Sequence, residues 1–227
     1  MPYIIPPPPQ AVLPIAGRVE TFPIHRVYCV GRNYAEHARE MGHDPDREPP
    51  FFFQKNPDNV TSDGVFPYPP ASRDVHFEVE LAVALMAGGT DIPRERALDC
   101  VLGYAVAIDM TRRDLQAEAK RLGRPWEVGK AFERSAPCSA LALAAEIGHP
   151  ASGAITLDVN GARRQTGDLA QMIWDVPGLV AVLSGLFTLA PGDLILTGTP
   201  AGVGPLARGD RLEAAIERVG RLSVAVV

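Results

Sequence analysis

Between Phe77 and Leu85 apolar residues fall on every second position (Phe77, Val79, Leu81, Val83, Leu85), with Glu78, Glu80, Ala82 and Ala84 between them. This period of two predicts a strand over 76–85 with one apolar face and a second face carrying two glutamates, then two alanines. Alanines suit a surface covered by another layer, whereas a solvated edge strand would leave the glutamates in water. Residues 25–31 and 51–55 also read as strands, and 101–110 is a long apolar segment ending at Asp109. Asn160-Gly161 sits between alternating runs and predicts a hairpin with a tight type I′ turn over 155–165. The segments around 192–200 and 211–227 complete the sheet.

Helical spacing appears in three places. Residues 114–123 form one helix, and 33–42 a second, with Asn33 as N-cap, Glu36 closing a capping box and Gly42 as the stop. Residues 169–187 read as helical around Pro177, with Asp168 as cap. Between Gly42 and Pro50 the chain is polar and proline-containing, the pattern of a mobile loop. Strands outnumber helices and arrive without a βαβ rhythm. The fold expected is therefore mainly β with peripheral helices (α+β), antiparallel or mixed. Residues 1–24 are proline-rich and predict an extended arm lying on the body or on a partner subunit, while 25–227 forms one domain.

Composition narrows the function. A net charge of −5 and the lack of a basic cluster argue against nucleic acid or an anionic membrane surface as partner. No apolar run reaches the ~20 residues of a membrane span, and the start has no signal-peptide pattern. Three widely spaced cysteines, Cys29, Cys100 and Cys138, read as reduced thiols, so a cytoplasmic protein is expected.

The chemistry-bearing residues are acidic. Two carboxylates on one strand face repel each other and need a compensating cation, either basic side chains or a metal. Asp109 can add a third carboxylate or cap the next helix. Three carboxylates without His or Cys form a hard oxygen donor set that favours Mg²⁺ or Mn²⁺ over Zn²⁺. His37 and Glu40, three apart on a helix, share a face. They form either a surface ion pair or a base that activates water. Lys130, amid small and apolar residues, is a snorkelling lysine or an anion's partner.

Taken together, VGRNYAEHAREMG (30–42), FEVELAV (77–83), GYAVAIDMTRRDLQ (103–116), GKAF (129–132) and LTGTPAGVG (196–204) resemble the sequence blocks of the fumarylacetoacetate hydrolase superfamily, in order, from His25 to the C-terminus. Within it, FFFQKNPDN (51–59), MTRRDLQ and GRPWEVGKAF are most similar to fumarylpyruvate hydrolases of the gentisate pathway. The wider acylpyruvase and oxaloacetate decarboxylase branch is the alternative. The resemblance implies a mixed β-roll, with Glu78, Glu80 and Asp109 as ligands of Mg²⁺ or Mn²⁺. His37 and Glu40 become a water-activating dyad, and Lys130 faces the substrate. Arg113, Gln116, Gly198, Thr199 and Lys55 line or approach a pocket for a small dicarboxylate ketoacid. Arg32, Arg112 and Arg124 are unranked candidates for the distal carboxylate, and a homodimer is implied. GTPAGVG lacks the spacing of a nucleotide-binding loop.

Replacing Glu80 with Ala is expected to abolish metal binding and activity while the fold survives, because the apolar strand face is untouched. Metal titration beside circular dichroism tests this, and full activity in metal-free buffer would remove the metal from the account.

Overall fold

The computed structural model describes residues 3–40 and 49–227, the side chains of Ala38 and Glu40 excepted. Gly42 as a helix stop and most of the loop read over 42–50 therefore lie outside the described residues. The larger sheet has six strands, in the order Ala142–Leu143, Val101–Ile108, Val79–Leu85, Leu194–Leu196, Val27–Gly31 and Phe51–Lys55. Neighbours run antiparallel except Leu194–Leu196 beside Val27–Gly31. A five-stranded sheet follows the order Ala162–Asp168, Ala154–Val159, Arg211–Ile216, Gly220–Val226 and Val65–Phe66, the last pair parallel. The mixed β body with helices at its margin agrees with the sequence pattern.

The alternation of the Val79–Leu85 strand sorts its side chains into two buried layers. Val79, Leu81, Val83 and Leu85 pack in one cluster with Ile155, Leu157, Leu212 and Val224 of the second sheet. Ala82 and Ala84, beside Ala105 and Ala107, belong to a separate cluster with Leu13, Phe22, Ile24 and Leu141. Small side chains on this face let the covering backbone approach closely. Leu13 and Phe22 come from a hairpin of Val12–Pro14 and Thr21–Pro23. The N-terminal segment is thus not extended throughout: its middle folds back and supplies core residues.

Tight turns follow the expected chemistry. Asn160 and Gly161 both have positive φ, 52° and 77°, as a type I′ hairpin requires. Helix Arg113–Leu122 ends at Gly123 in the left-handed conformation.

Three local expectations are corrected. The strand read over 76–85 is interrupted at Glu78: Val75–Phe77 pairs with Thr111–Arg112 and Gly204–Pro205 in a small separate sheet, and only Val79–Leu85 joins the six-stranded one. At the switch the Val79 N–H donates to Gln165 Oε1 at 3.0 Å, and the Asp109 N–H donates to the Glu78 carbonyl at 2.8 Å. The helix read over 169–187 is two pieces. Asp168 caps a 3-10 turn at Leu169–Gln171, then Asp175 caps helix Val176–Leu186, with Pro177 in the first turn, where its missing N–H costs nothing. Asn33 precedes helix Ala35–Glu40 but spends its amide elsewhere, donating to the Trp174 and Thr197 carbonyls at 2.8 Å and accepting from Trp174 N–H at 2.7 Å.

Cys29, Cys100 and Cys138 are free and buried, and burial pushes the Cys138 thiol up to about 12. No helix among the described residues is long and apolar enough to cross a membrane.

Gln165 is fully buried and ties the sheets together, because its Nε2 also donates to Thr199 Oγ1 and the Pro200 carbonyl, each at 2.8 Å. Gln165→Leu keeps the size but leaves the Val79 N–H and the Pro200 carbonyl unpaired. The expected loss is about 2–4 kcal/mol in urea unfolding, since each orphaned buried group costs roughly 1–3 kcal/mol. A change below about 0.5 kcal/mol would show that these bonds are replaceable.

Candidate active site

Two neighbouring strands bring the acidic residues together. The pairing of Val79 with Ile108 and Glu80 with Ala107 sets Glu78 beside Asp109, just past the end of both strands. Glu78, Glu80 and Asp109 are all buried, and each offers an oxygen within 4.8 Å of the others'. The sheet switch falls at Glu78, whose carboxylate converges with those of Glu80 and Asp109.

Three cations, Lys130 and Lys55 buried and Arg113 half-buried, answer this charge unequally. Lys130 Nζ donates to Glu78 Oε2 at 2.8 Å, Asp109 Oδ2 at 2.7 Å and Thr111 Oγ1 at 2.6 Å. Lys55 Nζ lies 2.7 Å from Asp109 Oδ1 and donates to Ser135 Oγ at 3.0 Å and to the Lys130 carbonyl. Arg113 donates through Nη2 to Glu78 Oε1 and through Nη1 to Gln116 Oε1 at 2.7 Å. Among the described residues, Glu80 alone of the three acids has no cation in direct contact: its Oε2 accepts from the Gly198 N–H at 2.8 Å. Burial and the charges of Asp109 and Glu78 accordingly hold the Glu80 carboxyl well above its usual range. Burial also acts to raise Glu78, yet Lys130, Arg113 and His37 more than reverse it and the carboxyl is held low. Lys130 is pulled down by burial but raised overall by Asp109 and Glu78, so it stays charged.

This donor set fits a divalent cation. It is buried, entirely carboxylate, and under-compensated at Glu80, so a hard metal ion entering from the pocket side would relieve the repulsion.

The pocket above the acids is lined by His37, Thr199, Arg113, Gln116 and Lys130. His37 is buried on helix Ala35–Glu40; Glu40 shares that helix, but its side chain lies outside the described residues. Lys55 is buried beneath Asp109, so the structure places it behind the acids, away from the pocket wall. The Gly198 N–H is committed to Glu80. Phe51, Phe53 and Trp126 form an aromatic wall, with Trp126 5.0 Å from Phe51 and 5.8 Å from Phe53. Gly31 makes room for it: a Cβ there would sit 2.1 Å from the Phe51 ring.

Sequence reasoning missed the supports. Gln165, Thr111, Ser135 and the structural use of Asn33 are single polar residues in apolar or loop sequence, and no local pattern marks them. Lys120 had a signal that was passed over, since Arg113, Gln116 and Lys120 stand at i, i+3 and i+7, one helix face.

The fold and site define a class: a mixed β protein with a buried carboxylate centre, fitted for a divalent cation, at the floor of a cationic pocket. Residues 26–227 match the family model described as fumarylacetoacetate (FAA) hydrolase C-terminal, and the chain belongs to that family of enzymes. Its structure is similar to that of fumarylpyruvate hydrolase from Pseudomonas aeruginosa, solved in complex with Mn²⁺ and pyruvate: 51% identity, TM-score 0.97, covering 100% of this chain and 99% of that one. It is also 43% identical over 199 residues to the oxaloacetate tautomerase YcgM of Escherichia coli, covering 86% of this chain and 90% of that one. With the mitochondrial oxaloacetate tautomerase FAHD1 of Mus musculus it shares 42% identity over 193 residues, 85% of this chain and 87% of that one.

Gly198 has φ +93°, and a Cβ there would meet the Asn33 Cβ at 2.8 Å. Gly198→Ala must shift the loop that donates to Glu80, so metal affinity should fall roughly tenfold with a stability loss of about 1–3 kcal/mol. Calorimetric Mn²⁺ titration reads this. Unchanged affinity would mean that the Gly198 N–H does not hold Glu80 in place.

Proposed function

We propose that the protein is a metal-dependent acylpyruvate hydrolase whose principal substrate is 3-fumarylpyruvate, cleaved to fumarate and pyruvate as in the gentisate route of aromatic catabolism. The observation that carries this reading is one pocket holding His37, Lys130 and Arg113 directly over the buried triad Glu78, Glu80 and Asp109. Full-length similarity to the Pseudomonas fumarylpyruvate hydrolase supports it.

Glu78, Glu80 and Asp109 would hold Mg²⁺ or Mn²⁺. When bound, the ion supplies Lewis-acid polarisation of the adjacent keto and carboxylate oxygens of the pyruvate moiety. Arg113, Gln116 and Thr199 orient that moiety from the pocket walls. His37, assisted by Glu40, takes a proton from water, and the water oxygen adds to the distal carbonyl carbon. The bond between that carbon and the methylene then breaks. Its electron pair becomes the pyruvate enolate, and the proton returns to the methylene carbon. Lys130 and Arg113 lie where that negative charge develops, and removing one such donor typically lowers a rate by roughly a hundredfold. A homodimer in the cytoplasm, with residues 25–227 as the catalytic domain, completes the proposal.

Tautomerisation of oxaloacetate is the second reading, favoured by the curated relatives. It needs the same floor of acids but no attack by water. Ultraviolet decay of fumarylpyruvate, acetylpyruvate and oxaloacetate with Mg²⁺, Mn²⁺ or EDTA separates the two. Fast, EDTA-sensitive loss of fumarylpyruvate is expected, and faster turnover of oxaloacetate would reverse the order. His37→Ala should keep metal and substrate binding while hydrolysis drops at least a hundredfold. Loss of binding instead would make His37 structural.

A further inference from the structure

The pyruvate end of a dicarboxylate ketoacid is accounted for by the groups above the triad, but the far end needs its own cation. Of the arginines considered for it, Arg112 is committed elsewhere, lying over the Phe132 ring at 4.2 Å and donating to the Val128 carbonyl at 3.3 Å. Arg124 is exposed beyond the end of its helix and is not on the pocket wall. Arg32 and Lys120 are both on that wall: the Arg32 guanidinium lies 5.3 Å from the centre of the Phe51 ring, whereas Lys120 continues the helix face that carries Arg113 and Gln116.

Lys120 is half-buried, and among the described residues no carboxylate pairs with it; its ammonium lies 5.8 Å from the centre of the Trp126 ring. It is the third member of the helix face that begins with Arg113 at the acids and continues with Gln116. Seven residues of helix separate the two cations by about 10 Å along the axis. Lys130 lies 5.1 Å from the centre of the Phe53 ring and Lys120 lies by Trp126, which meets Phe51 edge-on, so the aromatic wall runs between the cation at the acids and Lys120. Burial and the nearby charges of Arg32 and Arg113 pull Lys120 below the usual lysine range, more than the charge of Glu78 offsets.

We propose that Lys120 binds the distal carboxylate of the substrate, and that the Phe51, Phe53 and Trp126 wall packs the planar unsaturated segment between the two ends. The inference rests on the acylpyruvate reading and sharpens it. The site selects acyl chains that are flat, extended and end in an anion, and it takes less well those that end in a methyl group.

The readout is the ratio of kcat/KM for fumarylpyruvate over acetylpyruvate, measured on the Mn²⁺-loaded enzyme. Lys120→Gln should lower this ratio about ten- to hundredfold, the worth of one charge-assisted hydrogen bond, and Lys120→Arg should recover most of it. An unchanged ratio, or equal loss on both substrates, overturns the assignment. If the wild type hydrolyses neither substrate, the hydrolase reading fails by itself. Calorimetry with 2-oxoadipate against 2-oxohexanoate then decides the subsite: a wild-type preference for the dicarboxylate that Lys120→Gln abolishes upholds it, and no preference overturns it.

Discussion

Three carboxylates gathered in a buried space repel one another, and burial removes the water that would screen them. Glu78 and Asp109 are answered by Lys130, with Arg113 on the outer side of Glu78 and Lys55 beneath Asp109. Among the described residues Glu80 is met directly only by a peptide N–H. The asymmetry orients the site, since the charge left over faces the pocket rather than the interior. An ion entering from that side would meet a fixed cage instead of assembling one.

The backbone makes this cage by changing sheets. Val75–Phe77 lies in a small sheet and Val79–Leu85 in the six-stranded one, so Glu78 sits at the junction beside Asp109. Gln165 takes over the hydrogen bond that the Val79 N–H would make in a ladder and reaches on to Thr199 and Pro200. Asn33 performs the corresponding task on the other wall, joining the start of the His37 helix to Thr197 and Trp174. Two buried amides thus hold the loops over the acids. Each is fully used, which is the condition under which buried polar groups rigidify a structure.

Much of this was legible in the sequence because period and turn chemistry are local. Alternation placed Glu78 and Glu80, the alanines foretold a second buried layer, and Asn160-Gly161 fixed a hairpin. The resemblance then singled out His37, Lys130 and Asp109, which the structure brings together with the two glutamates. What escaped depends on distant contacts. The break at Glu78 depends on a glutamine 87 positions later, at Gln165. Pro177 looked like an interruption because the chain gives no sign that Asp175 starts a new helix. Asn33 suited a cap, and only the fold shows that its amide is taken by Trp174 and Thr197. Lys55 carried the right charge, but its depth below the acids is set by packing.

Gly31 and Phe51 face each other across paired strands, with the ring occupying the space a side chain at residue 31 would need. The two positions are therefore sterically coupled. A larger residue at 31 can be accepted only after the ring at 51 has shrunk, and shrinking the ring alone opens a gap against Trp126. Any descendant that reshapes this end of the pocket for a different acyl group must pass through an intermediate with either a clash or a hole, so the width of the pocket should change in paired steps and seldom by single substitutions.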